Sequence, residues 1–126
     1  MVEEIKKNIL QMIQKVPGVY SVLITDRDGV QVLKVNTDKA PEIPMRPGFL
    51  STFALAVDQG GKLGLGKTKT LICSYPQYLI VQMNKLPLVV TFIANNSCNV
   101  GHILALEKQI EPTLSVLSLA VGETYM

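Results

Sequence analysis

Gly61, Gly66, Lys67 and Thr68 fall in the stretch GKLGLGKT at the spacing G-x-x-x-x-G-K-[ST]. Residues so spaced can cradle a polyphosphate: backbone N–H groups wrap it, the lysine neutralises it and the hydroxyl reaches magnesium. The chemistry needs a buried strand entering the loop and a helix leaving it, so that the positive end of the helix also faces the anion. Here the order is reversed, because an apolar helical stretch precedes Gly61 and a strand rich in Thr, Leu and Ile follows Thr68. No later apolar strand ends in an acid that could hold magnesium, and VLITD, which looks like one, comes before the loop. Gly60, Gly61, Gly64 and Gly66 are therefore expected to unwind a helix end and re-aim the backbone. Lys62, Lys67 and Lys69 then read as a solvated positive face, with an acidic partner or anionic lipid as the open alternatives. An NTPase built on Lys67 is kept as a rival.

The other candidates for chemistry are few. Asp26 and Asp28 hint at a calcium loop, but Gly29 falls at loop position 4 instead of 6 and no glutamate closes the loop, so a tight turn is expected. Cys73 and Cys98 form no C-x-x-C pair, which argues against a metal knuckle or a disulfide scaffold and fits a reducing compartment. His102 is the only histidine and reads as a surface or capping residue near a helix start. No catalytic residue, metal or cofactor is expected. Net charge is only +2 and aromatics do not interleave with Lys and Arg, so nucleic acid is not an expected partner.

The elements that must position these residues emerge from hydrophobic periodicity. The chain has 126 residues, 48% of them hydrophobic, which suits one domain able to bury about two thirds of its unfolded surface. Ile5, Ile9, Met12, Ile13 and Val16 place an apolar stripe on a first helix that Pro17-Gly18 stops. VYSVLIT and VQVLKV read as a hairpin around DRDG, with Gly29 supplying a positive φ next to a bulge. After the proline-bearing loop NTDKAPEIPMRP comes the helix GFLSTFALAVDQGGKLG, whose stripe of Leu50, Phe53, Ala54, Val57 and Gly61 is widened by Phe49, Leu55 and Ala56. A helix apolar on nearly all sides needs a cover on more than one. Its own sheet can supply one cover, and a partner is expected to supply the other.

TKTLICSY, YLIVQMNK and LPLVVTFIAN follow as strands, the last apolar on both faces and so expected at the centre of the sheet. Asn99 or Ser97 can cap a final helix whose inward positions are Ile103, Leu106, Ile110, Leu114 and Leu117, with Pro112 expected to kink or divide it. The opening MVEEIKKNIL does not read as a secretory leader. LPLVVTFIA is about half the length of a membrane span. Val2 and the ending GETYM offer no lipid attachment point, so membrane contact is expected only through partners.

The order of elements resembles the roadblock family. RPGFLSTFALAVDQG and LPLVVTFIA, supported by TDRDGV, bring the chain closer still to the small scaffold subunits of the late endosomal/lysosomal Ragulator complex, the MAP kinase scaffold proteins. The resemblance implies a single roadblock/LC7-type domain over residues 1–126, of α+β, longin-like class. It implies a five-stranded antiparallel sheet with the first and last helices on one face and the second helix on the other. It further implies a heterodimer with a second roadblock subunit, made by packing second helices and pairing third strands.

The activity implied is non-catalytic scaffolding on the cytoplasmic face of late endosomes and lysosomes, where a lipidated Ragulator subunit is the anchor. There the dimer would bring a MAP kinase kinase and a MAP kinase together and support Rag GTPase and TOR signalling. The partner surface is expected at Leu50, Phe53, Ala54, Val57 and Gly61 on the helix and Leu71 and Cys73 on the next strand. Which face of that strand meets the partner is open, since a slip of one residue reverses it. The alternative is a homodimeric roadblock module serving a small GTPase or a dynein-type motor.

Overall fold

The computed structural model describes residues 2–26, 30–38, 59–85 and 87–125, with side chains through Leu119. In chain order these form α1 (Val2–Gln14), β1 (Val19–Asp26), β2 (Gln31–Asn36), β3 (Thr70–Ser74), β4 (Tyr78–Lys85), β5 (Leu88–Asn95), α2 (Val100–Ala105) and α3 (Glu107–Tyr125). Residues 59–62 are also helical. The strands make one five-stranded sheet in the order β2-β1-β5-β4-β3, antiparallel throughout. This is the α+β class and the five-stranded antiparallel sheet that the family resemblance implies.

Period-two alternation divides the sheet into two faces. Val22 and Ile24 of β1, Val81 and Met83 of β4, and Val90 and Phe92 of β5 point to one face, where Ile5, Ile9 and Ile13 of α1 and Ile110, Leu114 and Leu117 of α3 complete the core. The opposite face carries Leu23, Ile80, Val89 and Ile93, and it is buried as well. Its polar members are satisfied: the Gln82 Nε2 donates to the Thr91 Oγ1 at 3.2 Å, and no buried side-chain nitrogen or oxygen among the described residues lacks a partner. β5 lies in the middle and is buried on both sides, which explains its nearly unbroken apolar run.

Two boundaries differ from the sequence reading. The C-terminal helix is divided, but at Leu106 and not at Pro112, which lies inside α3. The Leu106 carbonyl accepts the N–H groups of both Gln109 and Ile110 at 3.0 Å, a tightening that turns the chain while keeping Leu106 buried. A helix that restarts at Glu107 meets Pro112 in its second turn, where the missing N–H removes one bond. At the other end of the chain α1 closes at Gln14, and Val16 follows in a tightened turn with its N–H on the Ile13 carbonyl at 3.1 Å, still buried. In the hairpin the register shifts between Ile24 and Thr25, while Gly29 lies outside the described residues.

Candidate functional site: the margin of β3 and the loop before it

β3 is an edge strand. It pairs with β4 on one side and has no strand on the other among the described residues. Its ends are fastened: the Tyr75 N–H donates to the Tyr78 carbonyl at 2.8 Å, and Asn84 gives its N–H to the Lys69 carbonyl at 2.8 Å and its Nδ2 to the Thr68 carbonyl at 3.0 Å. An edge fastened at both ends keeps its outward N–H and C=O groups in line, and that row is what an added strand hydrogen-bonds to.

Leu71 stands opposite Gln82 and Cys73 opposite Ile80, which brings the two together on the sheet face that holds Thr91 and Ile93. Both are half-buried. Gly61 sits exposed in the helical turn at 59–62. Leu50, Phe53, Ala54 and Val57, the remaining members of the sequence-predicted surface, lie outside the described residues. The sequence reading passed over Ile72 and Tyr75, which are 46% and 45% exposed, and Leu63 and Leu65, at 73% and 79%. Ile72 lies opposite Val81, on the core face, yet β3 is too far to the edge for the helices to cover it. The shortness of the apolar run between Thr70 and Ser74 is the signal that could have marked it.

The loop with the phosphate-like spacing has the opposite polarity to a phosphate cradle. The Leu63 N–H bonds to the Gly60 carbonyl at 3.2 Å and the Gly64 N–H to the Gly61 carbonyl at 3.1 Å, so a helical turn ends here. Gly64 adopts φ +73 and Gly66 φ +89, the left-handed conformations that finish a helix and redirect the chain. A helix terminus of this sense presents carbonyls, its negative pole, to the loop. Lys67 and Lys69 are exposed.

The other candidates have structural roles. Asp26 closes the β1–β2 hairpin, its Oδ1 accepting the Val30 N–H at 2.9 Å. Asn99 caps α2 by accepting the His102 N–H on its Oδ1 at 3.2 Å, and His102 itself is exposed. Cys73 and Cys98 are free; the Cys98 thiol donates to the Pro17 carbonyl at 3.3 Å, and burial pushes it up from the ordinary thiol range. Lys85 bridges to Glu107 and, at 3.1 Å, to Glu111, and the hydrogen bond it donates to Glu107 raises its ammonium above the ordinary lysine value. Among the described residues no group of three or more His, Cys, Asp or Glu could hold a metal, and no helix is long and apolar enough to cross a membrane.

Over residues 3–121 the chain matches the protein family described as mitogen-activated protein kinase kinase 1 interacting. The Ragulator complex protein LAMTOR3 of Pagrus major is 50% identical to it over 124 residues, 98% of this chain and 100% of the relative. Among solved structures it is similar to the gliding protein MglB of Thermus thermophilus, with a TM-score of 0.75 and 12% identity over 95% of this chain and 93% of that one. It is similar also to a roadblock/LC7 domain from Streptomyces avermitilis, with a TM-score of 0.64 and 15% identity over 83% and 92%. At such low identity the two structures speak for fold alone.

Proposed function

The chain belongs to the mitogen-activated protein kinase kinase 1 interacting family and has the roadblock/LC7 fold, and on that footing we propose that it is a non-catalytic scaffold subunit of a Ragulator-type complex. It pairs with a second roadblock subunit. A lipidated subunit holds the pair at the cytoplasmic face of late endosomes and lysosomes, where it brings a MAP kinase kinase and a MAP kinase together and supports Rag GTPase and TOR signalling. Such a scaffold works by effective concentration: two enzymes tethered side by side meet at about millimolar concentration without any new chemistry.

The observation that carries the reading is the fastened margin of β3, which no strand pairs among the described residues, with Leu71 and Cys73 half-buried on it. A five-residue strand alone buries too little for a stable pair, which takes about 800 Å² from each partner. The reading therefore assigns the rest of the contact to Leu50, Phe53, Ala54, Val57 and Gly61. The test is co-purification with a second roadblock subunit after Leu71→Asp and, separately, Val57→Asp. Each is expected to weaken the pairing by about 100-fold or more, since a carboxylate buried without a partner costs several kcal/mol. Unchanged pairing by both variants, with unchanged circular dichroism, would overturn the reading.

A further inference from the structure

The scaffold reading places Gly61 in the partner contact but gives residues 62–69, the loop ahead of β3, no task. Single exposed hydrophobic residues are ordinary, but Leu63 and Leu65 stand two apart at 73% and 79% exposure, with lysines at 62, 67 and 69 around them. Among the described residues a Cβ built on Gly61, Gly64 or Gly66 would meet nothing within 4 Å, so the tip of the loop between them stands clear of those residues. The charged residues within the loop, Lys62, Lys67 and Lys69, are all positive. From Gln59 to Leu106 the sequence has no Asp or Glu, although Asp58 comes immediately before.

Two leucines on a narrow tip offer much less than the area a stable protein interface buries on each side, about 800 Å². A bilayer makes no such demand. Its headgroup boundary accepts an apolar tip of any outline, and lysine stems lie along it with their ammonium groups at the phosphates. We propose that the 62–69 loop inserts Leu63 and Leu65 into the headgroup boundary of an anionic lipid surface, with Lys67 and Lys69 on its phosphates. The attachment is reversible and too weak to hold the protein unaided, because stable anchoring takes at least two strong signals. It goes beyond the scaffold reading: a chain tethered through a partner would also be oriented by its own residues.

Flotation of the full-length chain with phosphatidylcholine vesicles, with and without phosphatidylserine, tests this. Binding is expected only with phosphatidylserine and should fall as salt rises. Lys67→Gln/Lys69→Gln should weaken it roughly 25-fold, about fivefold for each lysine. Leu63→Ser/Leu65→Ser should weaken it too, while Lys67→Arg/Lys69→Arg should preserve it. Co-purification with a second roadblock subunit, measured on the same variants, should not change.

Equal binding to neutral vesicles, no binding by the wild-type chain, or full binding by the serine variant overturns the inference. Loop variants that lose the second subunit while keeping vesicle binding overturn it as well, and mark the loop as a protein contact. A wild-type chain that floats without pairing supports the lipid contact and removes the scaffold reading, so the two can fail separately.

Discussion

Gly18 has two demands placed on it that no other residue type meets. Its φ of +96 turns the chain out of α1 into β1, and a Cβ there would lie 3.2 Å from the Cβ of Cys98. Its carbonyl also accepts the Asn95 N–H at 2.8 Å, so the turn is fastened to the far end of the central strand. Gly18→Ala is therefore expected to destabilise the fold by about 1–2 kcal/mol, the cost of a left-handed conformation for a residue with a side chain. A urea titration would show it as a lower midpoint with an unchanged slope. The pair Pro17-Gly18 was legible in the sequence as a stop, because both residues act on their own backbone. The contact with Cys98 was not, since it joins positions that only the folded sheet brings together. Asp26 shows the same division: its place at the end of a strand before a turn could be read locally, whereas the bond its Oδ1 accepts from the Val30 N–H appears only once β1 and β2 are paired.

Among the elements, α2 and α3 separate what periodicity reveals from what it does not. The inward positions Ile103, Leu106, Ile110, Leu114 and Leu117 are all buried, as their spacing predicts. The cap was legible too. α2 is only six residues long and relies on Asn99 to hold its first turn, so Asn99→Ala should cost about 1 kcal/mol. Thermal unfolding would show this as a shift of a few degrees, with loss of amide protection at His102 before the rest of the helix. The break at Leu106 was hidden because a buried apolar residue carries no breaker signal, whereas Pro112 carries one and sits where the helix tolerates it. Hidden for a related reason was the tie from β4 to α3. Glu107 and Glu111 are one helical turn apart and converge on Lys85, but their approach to that strand depends on how helix and sheet dock.

Across the whole molecule, the five strands, the first helix and the helical character of the C-terminal stretch followed from alternation and helical stripes, and the central place of β5 from its two apolar faces. The sharing of one face by Leu71 and Cys73 did not follow, because only the register with β4 decides it. If the scaffold reading holds, pairing and stability are linked. Titrating the second roadblock subunit should raise the melting temperature of the wild-type chain, with about 2.7 kcal/mol gained at a hundredfold excess over Kd. Leu71→Asp should show no such rise. The two borders of the sheet also differ in kind. β2 has Lys34 in its middle and polar Gln31 and Asn36 at its ends, whereas TLICS of β3 carries no charge. Lysine and polar ends discourage strand addition. A union through β3 is then self-limiting on this side: the chain spends its adhesive border, β2 is left outermost to turn newcomers away, and growth past it halts where two adhesive borders would have permitted a filament.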